Sequence, residues 1–267
     1  MSKINNKNII ITGGLGLIGK QISKLLAQDG ANVIILDLAS IKKFNSLKIF
    51  NNLKYKLFYI KCDVTNKNDI KKAYKKINKK YKKIDVLINA AAVNDAVEKK
   101  PNPKLSMFEN YSLNSWNNSL KVNLTSIFLC SQIFGTSMKK FKKGSIINIA
   151  STYGVVAPDQ SLYMNKNSKN VFYKNPVYPT TKGGIISFTK YLAAYWGKIG
   201  IRVNSISPGG IENNQNKFFI SKYSSKTLLG RMGKPDDLYG TIKLLCSEES
   251  SYITGTNIMI DGGWTAI

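Results

Sequence analysis

Asn8-Ile9-Ile10-Ile11-Thr12-Gly13-Gly14-Leu15-Gly16-Leu17-Ile18-Gly19 passes from a short β-branched run into a cluster of glycines. Isoleucine is stiff at χ1 and suits a strand. Helix-forming residues follow at once, from Lys20 to Gln28. The order strand, glycine turn, helix brings backbone N–H groups to the positive end of a helix, and the glycines leave room for a pyrophosphate to approach them. Taken alone, the cluster is equally a tight turn. The next strand, Asn32-Val33-Ile34-Ile35-Leu36, decides between the two, because it ends in Asp37, 18 residues beyond Gly19. A carboxylate at that distance accepts hydrogen bonds from an adenosine ribose and repels a 2′-phosphate. The expected cofactor is NAD, in preference to NADP.

Outward from this unit, apolar runs and amphipathic stretches alternate to the end of the chain: Leu57 to Ile60 and then Asp69 to Tyr81, Ile84 to Ile88 and then Leu113 to Phe141. Ser145 to Ile149 precedes Thr180 to Trp196, Ile201 to Ile206 precedes Pro235 to Cys246, and Asn257 to Ile260 comes last. Such alternation predicts an α/β fold, a doubly wound parallel sheet with helices on both faces. At 267 residues, with no repeat and no Pro/Ser/Gly-rich linker, the expectation is a single domain over 1–267.

The formal charge of +25 raises the question of a nucleic-acid or membrane-surface partner. Only Arg202 and Arg231 are arginines, and the excess is lysine. In the densest run, Lys71 to Lys83, the residues Ile70, Tyr74, Ile77, Tyr81 and Ile84 recur at helical spacing and leave the lysines for a solvated face. Specific nucleic-acid binding is therefore not expected, since bidentate arginines are missing. No run reaches the 18 or more apolar residues of a membrane span, and the polar start, Met1 to Asn8, lacks the apolar core of a signal peptide. Three cysteines, Cys62, Cys130 and Cys246, lie far apart, as suits a reducing cytosol, so a cytoplasmic protein is expected. With no histidine and no clustered ligands, no metal site is expected.

Chemistry enters at Tyr178-Pro179-Thr180-Thr181-Lys182, which sets a phenol and an ammonium four residues apart where the chain turns helical. Side chains at i and i+4 share a helix face. A tyrosine ordinarily titrates near 10, and bringing it to about 7 takes roughly 4 kcal/mol of selective phenolate stabilisation. A fixed positive charge beside it supplies much of that.

These motifs together resemble the short-chain dehydrogenase/reductase family over nearly the whole chain, which implies a Rossmann-type fold. The resemblance makes Tyr178 the catalytic acid or base, with Lys182 lowering its pKa and holding the nicotinamide ribose. It makes Ser151, in Ser151-Thr152-Tyr153-Gly154, the hydroxyl that orients the substrate oxygen, and Asn123 the positioner of a relay water. The family's dinucleotide contacts fall on Gly13, Gly16, Leu17, Ile18 and Gly19 in the turn, and on Asp37, Asp63 and Val64 toward the adenine. They continue through Asn89, Ala90 and Ala91 after the central strand, and through Pro208, Gly209 and Ile211 beside the nicotinamide. The resemblance further implies a homodimer or homotetramer through the helices of Leu113 to Phe141 and Tyr178 to Trp196.

Several departures are informative. Leu17 stands where the short branch has glycine, a spacing typical of the family's longer sugar-nucleotide members. Ala90 and Ala92 replace the usual asparagine and glycine, and Asn213 stands at the customary threonine. Ser151 and Tyr178 are 27 residues apart, well beyond the family's interval, so Ala157 to Asn175 reads as an insertion at the rim of the site. That insertion is polar, and so is Glu212 to Lys217 in the lid expected over 208–230, which points to a polar, sugar-like small molecule as substrate. The expected function is NAD-dependent interconversion of a secondary alcohol and a ketone. The rivals are a sugar-nucleotide epimerase or dehydratase, and a catalytically silent dinucleotide-binding protein.

Overall fold

A computed structural model describes residues 3–94, 103–165, 167 and 172–267. Strand β1 (Asn8–Thr12) is followed by α1 (Leu17–Gln28), which returns the chain to β2 (Asn32–Asp37) beside it, Asn8 opposite Asn32. The short α2 (Ile41–Asn45) and a 3-10 segment (Lys48–Lys56) lead to β3 (Leu57–Lys61), and α3 (Lys67–Tyr81) crosses back to β4 (Val86–Asn89). Next come α4 (Pro103–Ser106), α5 (Leu113–Leu120), α6 (Ser126–Lys140) and β5 (Gly144–Ile149). The last third holds α7 (Val177–Trp196), β6 (Ile201–Pro208), α8 (Lys217–Ser224), α9 (Tyr239–Cys246) and β7 (Asn257–Ile260).

The strands form one seven-stranded sheet in the order β3-β2-β1-β4-β5-β6-β7, and each neighbouring pair is parallel. Parallel strands need cover on both faces, so their runs read as continuous apolar sequence. Alternate side chains divide between two cores. Ile9, Ile11, Val33 and Ile35 pack with Ile22 and Leu26 of α1 and with Ile242 and Leu245 of α9. Ile10, Ile34 and Leu36 pack with Ile70 and Ile77 of α3, Phe134 and Met138 of α6, and Trp196 of α7. The chain is thus a single doubly wound α/β domain, as its alternation of runs predicts.

The lysine-rich helix also folds as its spacing requires. Ile70, Ala73 and Ile77 of α3 are buried, and Lys71, Lys72, Lys75, Lys76, Lys79 and Lys80 are exposed. Lys80 Nζ rests 4.4 Å from the Phe58 ring centroid. Among the described residues, no helix is long and apolar enough to cross a membrane.

The long helix expected over Leu113 to Phe141 differs. It is broken by a π turn at Lys121–Thr125, between α5 and α6. One extra residue in a turn re-aims a side chain, which is why such turns collect at functional sites. Here it buries Asn123.

Order reverses at β1, with β2 on one side and β4 on the other. Ligands of open α/β sheets bind at that switch point, outside the carboxyl ends of the strands.

Candidate active site

The glycine turn is built by close approach. Gly13 has φ +64°, and a Cβ there would lie 2.7 Å from Ala91 Cα. A Cβ on Gly19 would lie 2.1 Å from the Gly13 carbonyl oxygen, so only glycine lets α1 start this near β1. No side chain caps Gly16 at the start of α1. The first N–H groups of a helix have no partner within it, and the macrodipole makes that end positive. Thr12 Oγ1 accepts from the Ala90 and Ala91 N–H groups, each at 3.1 Å, and so fixes the end of β4 against the turn. Asp37 Oδ2 accepts from Leu15 N–H at 2.9 Å and Oδ1 from Ala39 N–H at 3.0 Å. The carboxylate therefore braces the turn from the end of β2.

Beyond the turn, a cavity of about 310 Å³ opens over the carboxyl ends of β4, β5 and β6. Its lining brings together Leu17, Ile18, Ala90, Ser151, Tyr178, Lys182, Pro208, Gly209 and Ile211 of the expected set, with Asn213 beside them. A cleft of about 330 Å³ at the opposite end of the sheet, between Lys7, Asp85, Arg202 and Glu248, holds none of them.

Tyr178 lies in the first turn of α7, where Asn175 Oδ1 accepts its N–H at 2.8 Å. Lys182, one turn on, is buried and donates from Nζ to the Ile149 carbonyl at 2.8 Å; it lies 5.5 Å from the Tyr178 ring centroid. Ser151 ends the β5 segment and hydrogen-bonds the Tyr178 phenol. A Cβ on Gly154 would lie 2.7 Å from the Lys182 carbonyl carbon. The glycine three residues after the serine is thus what lets this turn lie directly on α7. Thr152 Oγ1 donates to the Pro208 carbonyl at 2.7 Å and ties the turn to β6.

The electrostatics differ from the expectation that Lys182 lowers the Tyr178 pKa. In the protein alone burial pushes the Tyr178 phenol up, opposed only by the Ser151 hydrogen bond. Lys182 is itself pulled down to about 8, by burial first and by Lys174 second. Desolvation outweighs the attraction between the two groups. Because the native lysine gives up its proton before the unfolded one, stability rises as pH goes from about 8 to 10.5. The drop from 10.5 to about 8 corresponds to roughly 3 kcal/mol. Denaturant titrations at pH 7 and pH 10.5 should show wild type gaining about that much relative to Lys182→Met; equal pH slopes would contradict it.

Other expected residues sit away from the cavity. Asn123 spends its side chain on the β4 exit: Oδ1 accepts from Val93 N–H at 2.8 Å, and Nδ2 donates to the Val93 carbonyl at 3.0 Å. Asn89 is buried in the sheet and donates at 2.8 Å to Asn148 Oδ1, whose Nδ2 donates to Thr189 Oγ1 at 2.9 Å. That chain couples β4, β5 and α7. Asp63 Oδ1 accepts from the Thr65 N–H and hydroxyl, and Val64 is buried among α3 contacts. Both follow β3 on the rim that also carries Asp37.

Sequence reasoning missed the aromatic wall. Tyr153, Tyr163, Phe219 and Tyr223 line the cavity. Tyr163 packs on Phe219 at 5.8 Å, Tyr223 stacks on Trp264 at 4.4 Å, and the Tyr153 and Tyr163 hydroxyls are 3.4 Å apart. The rim expected to be polar is thus lined by aromatic rings as well as by Asn213, Gln215 and Lys174, while Asp159 and Ser161 of the insertion are taken up by the lid. Asp159 pairs with Lys226 at 2.7 Å, and Lys222 donates to the Ser161 carbonyl. Within the insertion, residues 166 and 168–171 lie outside the described set. Lys174 was missed as well, although it stands four residues before Tyr178, the spacing that flagged Lys182.

The chain matches the family model described as Enoyl-(Acyl carrier protein) reductase over residues 16–265. It is 32% identical over 265 residues to the 3-oxoacyl-[acyl-carrier-protein] reductase FabG of Thermotoga maritima, covering 98% of each chain. It is 31% identical to the NAD-dependent glycerol dehydrogenase of Listeria innocua, covering 98% of this chain and 95% of that one. A crystal structure of a short chain dehydrogenase from Leptospira borgpetersenii with bound NAD+ superposes with a TM-score of 0.85, at 39% identity, covering 98% of this chain and 94% of that one. Matches that run nearly end to end, on a fold whose switch point holds the serine, tyrosine and lysine together, place the chain in the short-chain dehydrogenase/reductase family, as an oxidoreductase of alcohols and ketones.

Proposed function

We propose that the protein interconverts a secondary alcohol and a ketone with NAD as the preferred cofactor, on a polar polyol-like substrate. The observation that carries this reading is the convergence of Ser151, Tyr178 and Lys182 on one cavity that also reaches Leu17 and Ile18 of the glycine turn. The glycine turn, packed closely on Ala91 at Gly13, and the start of α1, where no side chain caps the helix, fit a dinucleotide pyrophosphate. Gly13, Gly16, Leu17, Ile18 and Gly19 would hold that end, and Pro208, Gly209, Ile211 and Lys182 the other. When bound, the nicotinamide supplies the redox chemistry at the carbinol or carbonyl carbon.

Tyr178 carries the proton exchanged with the substrate oxygen. Burial keeps the phenol protonated in the protein alone, the form that donates to a carbonyl in the reductive direction. Ser151 holds both the phenol and the oxygen, so charge forming on either finds a donor already in place. Lys182, anchored on the Ile149 carbonyl, sets a positive charge beneath the ring and favours the phenolate when the reaction runs toward the ketone. Asn123 acts at one remove, by fixing Val93 and hence the β4 loop. The lid over 208–230 would close the cavity, which Tyr163 and Lys174 of the insertion also line.

Asp37 supports NAD over NADP, since a 2′-phosphate would meet its charge at the end of β2. The glycerol dehydrogenase and the Leptospira structure are both named with NAD, and the former with a polyol. In a calorimetric titration, Asp37→Ala should narrow the ratio of NADP+ to NAD+ dissociation constants by at least tenfold, the equivalent of about 1.4 kcal/mol. An unchanged ratio would remove the carboxylate from the selectivity. The function itself is tested by following NADH absorbance with a panel of polyols, hydroxy acids and cyclic alcohols. Stoichiometric NADH formation supports a dehydrogenase. Conversion of a sugar nucleotide without net NADH would favour the epimerase rival.

A further inference from the structure

The aromatic wall of the cavity is assembled from three segments: Tyr153 from the turn after β5, Tyr163 from the insertion, and Phe219 and Tyr223 from α8. Each ring is held in place. Tyr163 packs edge-on against Phe172 at 5.6 Å and leans on Phe219 at 5.8 Å, and its hydroxyl is 3.4 Å from that of Tyr153. Tyr223 stacks on Trp264, and its hydroxyl accepts from Gly210 N–H at 2.5 Å. Leu162 is buried with Tyr223 and Met232, which joins the insertion to the lid. Rings fixed in this way need no ordering when a ligand arrives. The Tyr178 phenol lies within electrostatic reach of Tyr153, Tyr163 and Tyr223, so a molecule that presents a carbinol to Tyr178 lies close to this wall. The same cavity carries polar groups, Asn213, Gln215 and the paired hydroxyls of Tyr153 and Tyr163. At about 310 Å³ it is at the small end of ligand sites.

We propose that the substrate is a cyclic polyol, one saturated ring carrying several hydroxyls, and that Tyr163 and Phe219 are specificity-determining residues that receive its face while Tyr178 acts on a ring carbinol. The inference names the substrate class of the dehydrogenase reading and rests on it. A saturated ring has C–H faces and a hydroxylated edge, the same division of apolar and polar surface that the cavity offers, and its faces bury well against aromatic rings. An open-chain polyol carries hydroxyls along every side. Some of them would be buried against the rings without partners, which is costly, and its free rotors would have to be frozen.

Two pairs of equal carbon number separate ring from chain: myo-inositol with galactitol, and cyclohexane-1,2-diol with hexane-3,4-diol. In steady-state NADH formation the ring of at least one pair should show a kcat/KM at least about tenfold above its open-chain partner, the order of one or two aromatic contacts. Tyr163→Ala and Phe219→Ala should each bring that ratio toward one, and Tyr163→Phe, which keeps the ring, should preserve it. A merely structural role would lower ring and chain alike and leave the ratio unmoved. Ratios below about tenfold in both pairs, or a ratio unchanged in Tyr163→Ala or Phe219→Ala, would overturn the proposal while leaving the dehydrogenase intact. If none of the four compounds yields NADH, calorimetric titration of all four into the NADH-loaded protein decides independently of turnover. Rings that bind at least about tenfold tighter than their chains, and lose that margin in Tyr163→Ala, uphold the aromatic subsite. A smaller margin, a margin kept in Tyr163→Ala, or no binding of either ring overturns it. Should Tyr163→Ala not fold, Tyr163→Leu takes its place.

Discussion

Tyr178→Phe lowers turnover about a thousandfold and leaves NADH affinity within a few-fold of wild type. The magnitude is that of removing a positioned general acid, typically a factor of about 100 to 10,000. The substitution deletes one oxygen and keeps the ring on which Lys174 and Lys182 rest. The dinucleotide is held chiefly by the glycine turn, so its affinity should persist. Initial rates of NADH formation and a calorimetric titration with NADH separate the two effects. A loss below tenfold would move proton transfer to another phenol in the cavity. Tyr153, Tyr163 and Tyr223 are the candidates, since all three line the cavity, and burial raises the pKa of each as it raises that of Tyr178.

Gly19→Ala should have the next largest effect, and on binding as well as on stability. Its methyl would sit 2.1 Å from the Gly13 carbonyl oxygen and 2.8 Å from Gly14 Cα, both backbone atoms that no rotamer can move aside. Overpacking of this kind costs about 1–3 kcal/mol or more. The only relief is to slide α1 away from β1, which opens the turn that would receive the pyrophosphate. NADH affinity should therefore fall at least a hundredfold, together with a lowered denaturation midpoint. Gly240→Ala is the control: it lies exposed in α9 with nothing within 4 Å of an added Cβ, and should gain about 0.5–1 kcal/mol of helix propensity. Equal behaviour of the two variants would mean that the contact at Gly19 does not govern the site.

The sheet was legible because isoleucine runs such as Ile9 to Ile11 and Ile146 to Ile147 are buried on both faces, and a doubly covered strand has no polar alternative to disguise it. Tyr178 and Lys182 were legible for a similar reason: a fixed spacing on one helix carries its geometry with it. Less local features escaped. The 3-10 segment at Lys48–Lys56 lacks a clean period, and the π turn at Lys121–Thr125 looks like uninterrupted helix in sequence. The aromatic contribution of the insertion was not legible either: Asp159 pairs with Lys226 and Gln160 with the Lys174 backbone, and Tyr163 faces the cavity, contacts that join segments distant in sequence.

By itself the sequence determined the doubly wound fold, the glycine turn, the carboxylate at the end of β2 and the placing of Tyr178 and Lys182 one turn apart on a helix. Each follows from contacts within a strand, a turn or a helix, where spacing along the chain equals spacing in space. Tertiary structure alone decided the sign of the Tyr178 shift, the diversion of Asn123 and Asn89 into structural hydrogen bonds, and the arrival of Lys174 beside the phenol. These depend on burial and on segments distant in sequence meeting at the carboxyl end of the sheet, and desolvation is a property of that whole enclosure rather than of any stretch of residues.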